Sequence, residues 1–157
     1  MNLQELLPRE DILVGFEAAD KWDAIERLVG HLAERERIPT EARAELLEAL
    51  LDRERSMSTG MEHGVAIPHA AVHQLDELVG CLAITLGEGL DFESIDGSPA
   101  RFIVLLLIPR AQKLVHIRTL ASIARVLAHS EIRDALLEAQ DPDEAWAVLG
   151  RTAAETH

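Results

Sequence analysis

The sequence predicts an α/β fold, a three-layer sandwich in which a small mixed β-sheet is flanked by helices on both faces. Helix-type and strand-type patterns alternate along the chain, as they do when helices pack on a sheet. The segment 101–108 is apolar at almost every position, which is typical of a central strand covered on both faces. A chain of 157 residues, 48% of them hydrophobic, fits one domain with a single core.

The predicted strands are short. The first is 12–14, and a brief extended segment follows at 65–68, where Pro68 keeps the residue before it out of the helical conformation. The two clearest strands are 79–86 and 101–108, and glycine-containing turn sequences lie between them.

The first two helices lie between the first strand and residue 56. Asp20 is predicted to cap a helix that runs to about Arg35, and Thr40, after Pro39, to cap the second. Apolar residues at helical spacing define the buried faces of these two helices: Ile25, Leu28, Val29 and Leu32 in the first, and Leu46, Leu47, Leu50 and Leu51 in the second.

Three more helices are predicted after Pro109. The second of them starts at Ser130, and the last starts at Asp141-Pro142, buries Trp146 and ends at Gly150. The domain is therefore predicted to span residues 5–150, with a frayed C-terminal tail at 151–157. The first of the three helices is expected to bury one stripe: Ile117, Leu120, Ala121, Ala124, Leu127 and Ala128.

Net charge and cysteine content limit the partners and the cellular compartment that we expect for this protein. The formal charge of −13 argues against nucleic acid or an anionic membrane as the main partner, because both require a basic face, but it permits a partner with a basic patch. The single cysteine, Cys81, lies in an apolar run and is predicted to be buried and reduced, which favours the cytoplasm. We expect no secretory signal and no membrane insertion, since no apolar run approaches the roughly 20 residues that a span needs.

His69 is the candidate for chemistry among seven histidines. It follows Pro68 and is predicted to lie at the end of a short strand, with small residues after it. Imidazole is a good nucleophile at neutral pH, and its second nitrogen is expected to donate to a backbone carbonyl. On these observations alone, an ordinary loop or half-buried structural histidine is the more frequent case.

The run around His69 resembles a family signature. Residues 53–70 read Arg-Glu-Arg-Ser-Met-Ser-Thr-Gly-Met-Glu-His-Gly-Val-Ala-Ile-Pro-His-Ala. This is similar to the enzyme IIA family of the bacterial sugar phosphotransferase system, of the fructose, mannitol and nitrogen-regulatory type. That family reads RE, then ST-G, then G-[IV]-A-[IV]-P-H. Segments 90–109 and 115–120 also resemble it, so the likeness covers roughly residues 5–150.

The resemblance implies a phosphoryl relay. Its phosphorylated histidine corresponds to His69, which would accept the group on Nε2 from a histidine phosphocarrier protein or its nitrogen-branch paralogue. His69 would pass it to an enzyme IIB partner, or hold it as a signal to a regulated target protein. His116 and Arg53 match supporting positions, as hydrogen-bond donor and anion contact. No cofactor and no metal is implied, because the donor is already a phosphoprotein.

Several residues leave alternatives open. The alternative for His116 is a contact within its own helix turn, and for Arg53 a place on the surface. For Ser58 and Thr59 it is to satisfy loop backbone groups only. Glu62 is unusual because a carboxylate near His69 would repel phosphate, and Ala70 because glycine is common there. A zinc site is a further alternative, built from His63, His69, His73 and His116.

Three functions follow from this reading. The first is a phosphotransferase in a nitrogen-type regulatory role, favoured because no permease or enzyme IIB segment is seen. The second is a binding module of the same fold that transfers no phosphate. The third is a sugar-uptake component that works with a separate enzyme IIB and permease.

Overall fold

The computed structural model describes the backbone of residues 2–155 and the side chains of residues 2–151. It confirms the predicted α/β sandwich with a mixed sheet. The helices are α1 (Leu3–Leu6), α2 (Lys21–Glu34), α3 (Arg43–Ser56), α4 (Lys113–Leu127), α5 (Ser130–Glu138) and α6 (Pro142–Glu155). The strands are β1 (Ile12–Phe16), β2 (Val65–Ala66), β3 (His69–Val72), β4 (Val79–Thr85) and β5 (Phe102–Pro109).

The sheet is mixed because β4 and β5 pair antiparallel while the outer strands pair parallel to their neighbours. β1 pairs with β4, and both β2 and β3 pair with the far side of β5. β2 lies against the beginning of β5, with Val65 opposite Phe102, and β3 against its end, with His69 opposite Leu106. The edge next to β5 is therefore one strand interrupted at residues 67 and 68.

β5 is the centre of the molecule, as its sequence predicts. All eight of its residues are buried, and successive side chains point to opposite faces. Leu105 and Leu107 join a core with α2 and α3, whereas Val104 and Leu106 join a second core with α4, α5 and α6. Cys81 is buried in the first core, as predicted, and burial raises the pKa of its thiol.

The helix starts are confirmed at Asp20 and Asp141, whose side chains accept from the backbone N–H groups of Asp23 and Glu144 at 2.8 and 2.9 Å. The prediction for Thr40 is wrong. Pro39, with φ of −63°, leads into a 3₁₀ turn at Thr40–Ala42, and α3 begins only at Arg43 without a side-chain cap.

Two predictions for the C-terminal half are also wrong. Of the stripe predicted for α4 only Leu127 is buried; the other buried residues of the helix are Thr119, Ile123 and Val126, and Ile117 is 53% exposed. The last helix continues past Gly150 to Glu155, so part of the predicted 151–157 tail is helical, and residues 156 and 157 lie outside the described part.

Gly150 has a packing role and does not end the helix. A Cβ atom there would lie 2.5 Å from Nε2 of Gln4. The same Gln4 side chain donates to the carbonyl of Trp146, and the half-buried Trp146 indole donates to the Gln4 carbonyl. Glycine therefore lets α1 approach α6 closely. No described helix has the length and apolar character to cross a membrane.

Candidate functional site

His69 begins strand β3 and does not end the preceding one, which corrects the sequence prediction. Pro68 supplies no N–H, so the edge strand breaks before it and resumes at His69. The carbonyl of Pro68 still accepts from the N–H of Leu106 at 3.0 Å. The half-buried His69 side chain is therefore carried by backbone that is anchored to the central strand.

The tautomer of His69 follows from one contact. Nδ1 lies 2.7 Å from the carbonyl oxygen of Ile67, and a carbonyl oxygen can only accept. Nδ1 therefore carries the proton and Nε2 has a free lone pair. The predicted bond from His69 to a backbone carbonyl is confirmed.

His69 lines two adjoining cavities. One, of about 510 Å³, lies between the loop after α3 and helix α4, and the other, of about 170 Å³, lies between β3 and the start of α4. Arg53, His69 and Leu120 line both. Ala121 and Ala124 line the larger and Ile117 the smaller, so most of the stripe predicted to be buried faces these cavities.

The Arg53 side chain lies in the same place. Its Nη1 donates to the carbonyl of Met57 at 2.7 Å, which closes the C-terminal end of α3 and holds the guanidinium at the cavity wall. Burial lowers the pKa of His69, and the positive charge of Arg53 lowers it further. The Ile67 carbonyl and the Glu54 carboxylate oppose this shift without cancelling it.

His116 is not brought to His69. Its Nε2 lies 3.0 Å from Oε1 of Gln112, the residue before α4, and its Nδ1 lies 3.0 Å from Oγ1 of Thr119 in the second turn of that helix. Neither of the two His69 cavities has His116 among its lining residues. The arrangement in this structure is the helix-turn contact that the sequence left open as an alternative.

The hydroxyl groups of Ser58 and Thr59 make hydrogen bonds that hold the loop after α3. The Ser58 hydroxyl donates to the carbonyl of Phe92, and the Thr59 hydroxyl donates to Glu54 at 2.5 Å. Ala70 is buried in strand β3 and is not among the residues with positive φ. Alanine in place of the family's common glycine therefore causes no backbone strain.

The acidic group that acts on His69 is Glu54. The side chain of Glu62 is 61% exposed and lies 3.8 Å from His63 Nε2, beside a different cavity. Glu54 is the second residue of the RE pair, but its contacts become visible only once α3 and the following loop are folded together. Among the described residues, no three histidine, cysteine or acidic side chains are placed to hold a metal ion, so the histidines of the zinc alternative do not converge.

A further cavity of about 550 Å³ lies at the other end of the sheet, between the ends of β1 and β4. Its lining includes Glu17, Arg27 and Thr85, but none of the predicted site residues. Arg27 is already paired with Asp23 at 2.8 Å.

Comparison with known proteins identifies the family. The family model of the phosphoenolpyruvate-dependent sugar phosphotransferase system, EIIA 2, matches residues 5–151. The chain belongs to this family. The resemblance inferred from residues 53–70 is thereby confirmed, and the EIIA 2 fold places the histidine of that motif at the cavities described above.

Among the relatives of this EIIA 2 chain are nitrogen regulatory proteins and a sugar-specific EIIA component. It is 33% identical to a nitrogen regulatory protein of Bradyrhizobium diazoefficiens, over 95% of both chains. It is 32% identical to a fructose-specific EIIA component of Haloferax volcanii, over 94% of both chains. The crystal structure of the nitrogen regulatory protein IIA-Ntr from Neisseria meningitidis superposes with a TM-score of 0.83 at 28% identity, covering 94% of this chain and 98% of that one.

Proposed function

We propose that this EIIA 2 protein is a phosphoryl carrier in which Nε2 of His69 accepts a phosphoryl group from a histidine phosphocarrier protein. One observation carries the proposal: the Nδ1–H···O bond to Ile67 leaves the Nε2 lone pair on a side chain that lines an open cavity. An imidazole in this tautomer can attack phosphorus without first losing a proton.

The step balances without an added base. The bond from phosphorus to the donor imidazole breaks as the bond to Nε2 of His69 forms, and the donor nitrogen recovers its lone pair. Nδ1 keeps its proton throughout. Positioning and charge neutralisation are then the protein's main tasks, as expected for a loose transition state.

Arg53 and His116 complete the proposed machinery in different ways. Arg53 already lines both cavities and would pair with the phosphoryl oxygens through a charge-assisted bond. His116 would have to leave Gln112 before it could donate to the group. We expect His116→Gln to shorten the lifetime of phosphorylated His69 more than it slows its formation.

A regulatory role is the version we favour. The support is the similarity to nitrogen regulatory proteins, among them the Neisseria meningitidis structure. The fructose-specific relative keeps sugar uptake with a separate enzyme IIB and permease as the competing proposal. The contact-only module loses its two supports, because Glu62 is not among the lining residues of the His69 cavities and Ala70 fits its strand. Phosphocarrier partners would place the protein in the cytoplasm.

Phosphotransfer to the purified protein tests the proposal. Enzyme I, a phosphocarrier protein and phosphoenolpyruvate are mixed with the wild type, with His69→Ala and with His73→Ala, a control at an exposed histidine four residues later. The expected result is an acid-labile mass gain of one phosphoryl group in the wild type and the control, and none in His69→Ala. No gain in the wild type with several carriers would refute the relay.

A further inference from the structure

A buried ion pair lies directly behind the His69 site. Nζ of Lys21, the first residue of α2, is 3.3 Å from Oε2 of Glu54, and their side chains are only 5% and 1% exposed. Burying two charges is costly, and apolar residues often serve as well for stability alone. The phosphoryl step as proposed above uses neither residue, so the pair calls for another explanation.

Glu54 anchors the wall of the larger cavity. Its carboxylate accepts from the backbone N–H of Thr59 at 2.8 Å and from the Thr59 hydroxyl at 2.5 Å. The loop residues 57–61 all line that cavity. Because Glu54 itself belongs to α3, the loop is tied to a rigid helix and not only to its own backbone.

Two further hydrogen bonds connect Thr59 to the imidazole ring of His69. The carbonyl of Thr59 accepts from the N–H of Ile67 at 3.2 Å, and the carbonyl of Ile67 accepts from Nδ1 of His69 at 2.7 Å. Lys21, Glu54, Thr59, Ile67 and His69 thus form one hydrogen-bonded series. Ile67, whose carbonyl selects the His69 tautomer, is held at its own N–H by the loop that Glu54 fixes.

We propose that Glu54, supported by Lys21, is a positioning residue that holds the Thr59–Ile67 backbone so that the His69 ring keeps its tautomer and its orientation toward the cavity. The inference rests on the proposed function of His69 and deepens it. Glu54 touches neither the ring nor the incoming group and acts through Thr59 and Ile67.

The surrounding charges give the proposal a signature that a purely structural role lacks. Arg53 and Glu93 line the larger cavity, Arg53 and Lys113 the smaller one, and Glu54 lies behind them. Glu54 is the negative charge that raises the pKa of His69 against the effects of burial and Arg53. We therefore expect its removal to lower the His69 pKa further.

The test uses Glu54→Gln with the same change at Glu48 as control, since Glu48 lies on α3 but is exposed and paired with Arg55. Nuclear magnetic resonance of the labelled imidazole gives the pKa and tautomer of His69 without any partner. Steady-state phosphotransfer from the carrier gives kcat and KM. We expect Glu54→Gln to lower the His69 pKa and to reduce kcat by about 10- to 100-fold, the size of effect that a misplaced reacting group has, with KM for the carrier unchanged.

A second variant covers the case in which the protein unfolds because Lys21 keeps only the exposed Glu93, at 3.6 Å, as an ion-pair partner. Lys21→Met combined with Glu54→Met replaces the pair by apolar side chains, a change that buried ion pairs often tolerate. It must show the same fall in kcat. A folded variant of either kind with wild-type kcat, pKa and tautomer overturns the proposal. If the wild type accepts no phosphoryl group, the proposed function fails, and the resonance data alone decide the positioning role.

Discussion

At His69 the neighbouring groups act on the imidazole in opposite directions. Burial and Arg53 lower its pKa, while the Ile67 carbonyl and Glu54 raise it. A free histidine titrates near 6.5, so the net downward shift keeps Nε2 unprotonated at neutral pH and somewhat below. Phosphoryl acceptance should therefore stay constant through neutral pH and fall only when the pH drops through the lowered pKa.

Replacing Arg53 tests this electrostatic balance. In Arg53→Gln the nearby positive charge is lost, so the pKa of His69 should rise and the acid limb of the pH–rate profile should move to higher pH. Arg55→Gln is the matched control, because Arg55 lies on the same helix but pairs with Asp52 and Glu48 on the surface. A resonance titration of His69 in both variants measures the shift. A His69 pKa in Arg53→Gln at or below the wild-type value would contradict this account.

Ala70 offers a prediction about stability alone. The residue is buried in β3 opposite Leu107, with ordinary strand backbone. Ala70→Gly should lower the free energy of unfolding by about 0.5–1 kcal/mol, because glycine has more conformational freedom to lose in a strand. Urea unfolding of the two proteins measures the difference. An increase in stability would mean that the backbone at position 70 is strained after all.

Single residues also show how far sequence reasoning reaches. His69 and its carbonyl bond were predictable, because a local motif and elementary imidazole chemistry define them. Glu54 was not, because its bonds to Thr59 and Lys21 require three segments to fold together. Glu62 was suspected of repelling phosphate because of its place in the chain, yet it lines neither of the His69 cavities.

Helix α4 shows that the buried face of an element also cannot be read from the sequence alone. Its apolar residues fit two stripes, and helical spacing alone does not tell which stripe meets the sheet. The structure buries Thr119, Ile123 and Val126, and turns Leu120 and Ala124 toward the His69 cavity. The existence of the helix was predictable, but its rotation depends on how it packs on α5 and β5.

The loop after α3 depends on a close approach at Gly60. A Cβ atom there would lie 2.6 Å from the carbonyl oxygen of Phe92 and 2.9 Å from Cα of Ser94, so the backbone must shift. We expect Gly60→Ala to lower the free energy of unfolding by about 1–3 kcal/mol, the usual cost of overpacking. It should also slow phosphotransfer, because the loop lines the larger cavity.

Gly97→Ala is the control for this change. Gly97 has φ of +77° but no atom within 4 Å of an added Cβ, so only the backbone conformation is penalised, by about 1 kcal/mol. Urea unfolding and the phosphotransfer rate are measured for both variants. Equal losses of rate would show that the loop wall at Gly60 has no special part in the chemistry.

At the scale of the whole molecule, charge is distributed unevenly. The chain carries a formal charge of −13, yet residues 97–130 contain no aspartate or glutamate. This segment includes α4, whose outer face presents Lys113, Leu114, Ile117 and Arg118 to solvent. The surface beside His69 is therefore basic and apolar on an otherwise acidic protein, a contrast that the overall charge conceals.

That surface should matter for partner docking and not for chemistry. A phosphocarrier protein has to bring its own histidine to His69, so it must cover the start of α4, where Leu114 is 81% exposed. We expect Leu114→Asp to raise KM for the carrier by about tenfold or more, equivalent to about 1.4 kcal/mol, with kcat unchanged. Leu86→Asp is the control, since Leu86 is an exposed leucine beside the separate cleft between β1 and β4. A fall in kcat at constant KM would instead place Leu114 in the support of His69, and equal effects in both variants would remove α4 from the docking surface.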